Sequence, residues 1–214
     1  MRLLSVSGME HARCGDRDMT IALMIIDMQN DALDALSPAI VERLIERQNH
    51  LARAFRARGL PVILVRGEFK ADLSDAFLEM RRKGLSVSIE GTPGAALHPD
   101  LARSADDIEI VKKRYSTFFR TNLDEVLEDR GVKRLVLAGI NTHACIRMAA
   151  IDAYQRDLDV VIVEDAVASH DDEHASVSLR YMADKIAAIM TADSAIAALS
   201  AWVSAQNSEM RQAM

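Results

Sequence analysis

The chain has 214 residues, of which 50% are apolar and 27% charged; this suffices for one packed domain and is too apolar for a disordered chain. A formal net charge of -6 argues against nucleic acid or an anionic membrane surface as the main partner. The two cysteines, Cys14 and Cys145, give no disulfide framework, which points to a reducing, cytoplasmic setting, and no apolar run reaches the roughly 18–20 residues of a membrane span.

Residues 1–18 carry no hydrophobic period and read as an N-terminal extension, poorly ordered, with an apolar patch too short for a secretory leader and Cys14 as a bystander. The expected domain is 19–206, followed by a tail over 207–214. From residue 20 the pattern is regular. "TIALMIID" is a short apolar strand ending in an acid. "SPAIVERLIERQNHLARAFRARG" is a helix, with Ser37 as cap, Pro38 in the first turn and Gly59 as stop. "LPVILVRG" is a second strand, "DLSDAFLEMRRKG" a short helix, and "GTPGAALHPDL" a loop by its Gly and Pro content. Then come strand "DIEIVKKR", helix "TNLDEVLEDRG", strand "KRLVLAGI" and helix "THACIRMAAIDAYQRD". Strand "LDVVIVEDAVAS", helix "DDEHASVSLRYMAD", strand "KIAAIMT" and helix "ADSAIAALSAWVSAQ" complete the series. Six strand-then-helix units with near-continuous apolar strands predict a single doubly wound α/β domain: a six-stranded parallel sheet with helices on both faces.

In such domains ligands bind beyond the carboxyl ends of the strands. The residues to weigh are therefore Asp27, Arg66, Lys112 and the turn from Gly139 to Cys145. Neither a G-x-G-x-x-G after the first strand nor a G-x-x-x-x-G-K-[ST] occurs, which leaves dinucleotide and P-loop nucleotide binding without support. Asp27 taken alone reads equally as a turn cap or as a carboxylate that trades protons. Lys112 ends an apolar strand, where an ammonium is costly unless it is paired or reaches water. Cys145 by itself reads as a small buried hydrophobe. It also falls in the first turn of a predicted helix, where free N–H groups, the helix dipole and a nearby cation favour the reactive thiolate.

Taken together, the three residues have a coherent chemistry. Asp27 takes the thiol proton as Cys145 attacks a carbonyl carbon, Lys112 holds the carboxylate, and the backbone N–H groups of Asn141 and Cys145 bind the oxyanion. His143, two residues before Cys145, does not face it on a helix and is a candidate for touching substrate rather than for the base. His170 and His174 read as part of a solvated, acidic helix start rather than as a metal pair. Gln29, Arg66, Tyr115, Phe118 and His143 are the candidate substrate contacts.

"IALMIIDMQND", "GTPGAALHPDL", "VKKRYSTFFRTNLDEVL" and "LAGINTHACIRMAAIDAY…VVIVEDAVAS" resemble, in that order, the isochorismatase-like cysteine hydrolase family. The resemblance implies an Asp–Lys–Cys triad on Asp27, Lys112 and Cys145, with Lys112 preferred to Lys113 by its spacing to Ser116. It further implies a cis peptide at Ile140–Asn141. The nicotinamidase branch carries an Asp-x-His metal motif, which "RGEFKADLSDAF" lacks, so neither catalytic metal nor other cofactor is expected. The aromatic that usually follows "DMQND" is Ala32 here, and the usual glycine of "FFGT" is Arg120. The expected activity is hydrolysis of a C–N bond in a small amide, ureido or carbamoyl compound through a Cys145 acyl-thioester. An isochorismatase-type ether hydrolase and a catalytically idle binding protein are the alternatives. A homo-oligomer, dimer or tetramer, is expected.

Overall fold

The computed structural model describes residues 20–212. The expected extension over 1–18, with Cys14, lies outside the described residues. Six strands, β1 (Thr20–Ile26), β2 (Val62–Gly67), β3 (Ile108–Lys112), β4 (Val132–Ile140), β5 (Asp159–Ala168) and β6 (Ala188–Met190), form one sheet. Their order is β3-β2-β1-β4-β5-β6 and every pairing is parallel. The helices are α1 (Asn30–Leu33), α2 (Pro38–Arg56), α3 (Leu78–Lys83), α4 (Leu123–Asp129), α5 (Arg147–Tyr154), α6 (Asp172–Lys185) and α7 (Ala192–Gln212). The predicted doubly wound domain is the observed one.

Strand alternation builds two cores. Ile21, Leu23 and Ile25 of β1 bury against Leu44, Leu51 and Phe55 of α2 and Ala195 and Leu199 of α7. Ala22, Met24 and Ile26 point to the other face, with Leu123 and Leu127 of α4, Ala149 and Ala153 of α5 and Met182 of α6. The alanines of α5 let that helix lie close to the sheet. β1 and β4 are neighbours from which the chain winds outward in opposite directions, so a crevice opens at their carboxyl ends. Gly139 is what allows that junction to close. Its φ is 116, and a Cβ there would stand 2.1 Å from the Ile26 carbonyl oxygen, so a side chain has no room between β4 and β1.

Two boundaries and one cap differ from the sequence reading. The turn Thr142–Ile146 is a π-helix, and α5 starts only at Arg147. α7 runs to Gln212, so the 207–214 stretch is not a separate tail up to that point. Ser37 occupies the N-cap of α2 without a side-chain cap bond, whereas Asp171 caps α6 by accepting the His174 N–H at 2.8 Å.

Candidate active site

The carboxyl ends of β1, β3 and β4 deliver three reactive side chains to one buried point. On a period of two, residue 27 would follow Ile21, Leu23 and Ile25 onto the first face, away from Lys112. Asp27 instead takes a left-handed backbone with φ 58, which aspartate tolerates better than most residues, while its N–H still donates to the Val65 carbonyl at 2.8 Å. The alternation is broken there, and the Asp27 carboxylate meets Lys112, whose Nζ lies 2.9 Å from Asp27 Oδ2. The same ammonium donates to Cys145 Sγ at 3.4 Å and to the Arg114 carbonyl at 3.2 Å. Its three donors thus have three acceptors. The Ile140–Asn141 peptide, just before the π-turn that carries Cys145, is cis.

Lys112 is 4% and Cys145 7% exposed, so charge here is set by neighbours rather than water. Burial works against the Lys112 charge, but Asp27 and then Cys145 outweigh it, and the ammonium holds its proton more tightly than an ordinary lysine. Burial and the adjacent Asp27 charge push the Cys145 thiol up to about 12, against the pull of Lys112. Against the expectation of a readily ionised thiol, desolvation and a facing carboxylate exceed what one cation offers. Burial and the facing carboxylate thus favour the neutral form of the thiol. Asp27 Oδ1 is buried and has no hydrogen-bond partner, which leaves it free to accept a proton.

The candidate substrate contacts separate. Gln29 is fully committed to the backbone: Nε2 donates to the Gly67 and Ala95 carbonyls at 2.7 Å each, and Oε1 accepts the Gly67 N–H at 2.7 Å. Its amide pins β2 and the 93–95 turn, with both N–H donors used. Arg66 lies one residue before Gly67, the register partner of Lys112, and so extends from the opposite face, where Glu68 and Glu109 hold it. Phe118 is 5% exposed in the second core, with the Arg156 guanidinium 4.3 Å from its ring centroid, and is packing. Gln29 and Phe118 are thus held by backbone and core contacts, and Arg66 lies on the face away from Lys112.

Tyr115 is 48% exposed and stacks on Phe77 at 4.7 Å, which in turn meets Phe69 at 5.6 Å. Phe77 and Phe69 come from the weakly patterned stretch after β2, and nothing in their spacing marked them. His143 is half-buried, its Nδ1 hydrogen-bonded with Ser169 Oγ and its ring 5.1 Å from His170 and 6.0 Å from His174. Burial and the neighbouring His170 lower its pKa below the ordinary value. The His170 ring contacts Asn141 Oδ1 at 3.2 Å. Among the described residues no group of three or more His, Cys, Asp and Glu side chains is arranged to hold a metal ion. Size of concavity does not mark this point: grooves of about 880 Å³ near Leu36 and His98 and about 730 Å³ near Trp202 and β6 lie elsewhere.

A family model for the isochorismatase domain matches residues 21–194. The chain belongs to the isochorismatase family. An uncharacterized isochorismatase family protein of Escherichia coli O157:H7, YecD, is 30% identical over 84% of this chain and 96% of its own length. The ureidoacrylate amidohydrolase RutB of Methylorubrum extorquens is 30% identical, with 71% of this chain and 70% of RutB covered. The crystal structure of N-carbamoylsarcosine amidase from Thermoplasma acidophilum matches with a TM-score of 0.72 and 30% identity, covering 82% of this chain and 98% of that one. No helix among the described residues is long and apolar enough to cross a membrane.

Proposed function

We propose that this isochorismatase-family chain is an amidohydrolase that cleaves the C–N bond of a small amide, ureido or carbamoyl compound through a Cys145 acyl-thioester. The observation that carries the reading is the buried Lys112 ammonium bridging Asp27 at 2.9 Å and Cys145 at 3.4 Å at the carboxyl ends of the strands. The names of RutB and N-carbamoylsarcosine amidase support the bond class.

In this mechanism Sγ bonds to the substrate carbonyl carbon while its proton passes to Asp27, and the carbonyl π pair moves onto oxygen. Backbone N–H groups of Asn141 and Cys145 receive that oxyanion. When the C–N bond breaks, Asp27 returns the proton to the departing nitrogen, giving an amine or ammonia. Water then attacks the thioester, Asp27 accepts its proton, and Sγ leaves and is reprotonated. The sum is substrate plus water to a carboxylic or carbamic acid plus an amine. Because the resting thiol is neutral, attack and deprotonation are coupled, and Lys112 stabilises the thiolate only as it forms. Tyr115 and His143 are the substrate contacts kept in this reading. An ether hydrolase or an idle binding protein has no use for a protonated thiol held against a carboxylate, so both stand behind the amidohydrolase.

A cytoplasmic setting suits a free thiol that must stay reduced, and assembly into a dimer or tetramer remains part of the proposal. A panel of small amides and ureido acids, with acid quench during turnover and mass analysis of the peptide bearing Cys145, tests the reaction. An acyl mass on that peptide supports it. Turnover of an amide by a Cys145→Ser chain at the wild-type rate excludes it.

A further inference from the structure

Of the three acceptors around Lys112 Nζ, two are side chains of the cluster and the third is the Arg114 carbonyl, which belongs to the loop after β3. That loop has its own anchor. Ser116, 7% exposed, donates from Oγ to Asp152 Oδ2 on α5 and accepts the Phe118 N–H at 3.1 Å. Asp152 lies about two helical turns beyond Cys145, so the helix that follows the thiol is bonded to the loop that follows the ammonium.

Arg156 fixes both ends of this connection. Its Nη1 donates to the Asp152 carbonyl at 3.0 Å, its Nε and Nη2 grip the Asp124 carboxylate at 2.6 and 3.1 Å, and its plane lies over Phe118. The fork-to-carboxylate geometry makes Arg156 a rigid post rather than a swinging charge.

We infer that Ser116 and Asp152 are positioning residues whose hydrogen bond sets the separation of the Lys112 ammonium from the Cys145 thiol. Neither touches the reacting atoms. With the bond cut, the 113–118 segment keeps Arg114 on the Asp75 carbonyl at 2.9 Å and Phe118 under Arg156 but loses its hydrogen bond to α5, so the Arg114 carbonyl shifts and weakens as one of the three acceptors of the ammonium. The ammonium then settles further onto Asp27 or away from Cys145. A displacement of about 1 Å at such a point is enough to cost one to two orders of magnitude in rate.

The inference rests on the proposed reaction only for its kinetic readout, so the test has two arms. The first uses no substrate: iodoacetamide is applied to the full chain at fixed pH, and alkylation is followed on the peptide bearing Cys145, which separates it from Cys14. Ser116→Ala, with a melting temperature close to wild type, is expected to alkylate at least about threefold more slowly, because a thiol that loses its cation ionises less readily. Ser116→Thr, which keeps the hydroxyl, and Asp152→Asn, which keeps an acceptor oxygen, are expected to stay near wild type. Should Ser116→Ala not fold, Asp152→Ala makes the same cut from the helix side.

The second arm measures kcat and KM on whichever amide the wild type turns over. Ser116→Ala is expected to lose about tenfold in kcat with KM within about twofold. A folded Ser116→Ala that alkylates as fast as wild type, or faster, overturns the inference. So does a Ser116→Thr chain as impaired as Ser116→Ala, which would reduce the bond to simple packing. Slowed alkylation in a chain whose wild type hydrolyses no amide would overturn the proposed reaction and leave the positioning role standing.

Discussion

Two cations end neighbouring strands of the same sheet, and they have opposite fates. Lys112 closes β3 and Arg66 stands one residue from the end of β2. Lys112 is buried with a carboxylate, a thiol and a carbonyl as its acceptors. Arg66 extends from the opposite face between Glu68 and Glu109, partly exposed to solvent. Gly67 is the register partner of Lys112, so Arg66 is out of phase by one residue, and in a strand one residue is a change of face. Being at a strand end is therefore not enough: parity decides which cation joins the thiol and which becomes a surface ion pair.

The comparison can be broken by exchanging the effects of the two residues. Lys112→Ala is expected to lower kcat by about a thousandfold or more, and to lower the melting temperature as well, because it strands the buried Asp27 charge. A chain with Lys112→Ala that retains a tenth of wild-type kcat would contradict the assignment.

Lys112 is also the one group here that draws the thiol pKa down. Even so, burial and Asp27 win, and the thiol lies at about 12. An acid with a raised pKa keeps its proton to higher pH, so the thiolate appears late. The ultraviolet thiolate signal, taken as the difference between wild type and Cys145→Ser, should be absent at about pH 7 and still under a tenth of full amplitude at about pH 9. A full signal at neutral pH would mean a preformed thiolate–ammonium pair and would remove the need for Asp27 as base.

Gln29→Leu probes the support under both cations, since Gln29 ties Gly67 to the 93–95 turn. Loss of three buried hydrogen bonds should cost about 2–4 kcal/mol in denaturant unfolding. A cost within experimental error would mean that the amide is dispensable for the fold. Arg66→Ala is the smallest case: kcat/KM within about threefold and stability within about 1 kcal/mol, as for an exposed ion pair. A selective rise in KM would return Arg66 to the substrate.

The fold was legible because its signal is repetitive. Near-continuous apolar strands and helices with period 3.6 recur six times, and no single residue decides the outcome. Asp27, Lys112 and Cys145 were legible as strand-end residues of reactive type. Their meeting was not readable from alternation, because the left-handed backbone at Asp27 that redirects its carboxylate leaves no periodic trace. The backbone bonds of Gln29 were not readable because a polar residue beside Asp27 looks the same whether its amide faces a ligand or the backbone. Its partners lie 38 and 66 residues away in the chain. Phe118 was ambiguous for a related reason: an aromatic after a strand end fits a pocket wall or a core, and Arg156, which covers it, comes from the turn after α5, far along the sequence. The π-turn before α5 has the same apolar pattern as an α-helix, and the thiol's resistance to ionisation depends on burial, a property of the folded chain.

The measurement that tests the central claim most directly is turnover by Cys145→Ala on an amide or ureido acid that the wild type hydrolyses. With the nucleophile gone and the Asp27–Lys112 pair intact, the account predicts a fall in kcat of at least about a thousandfold. Hydrolysis by Cys145→Ala within tenfold of the wild type would contradict covalent catalysis at Cys145.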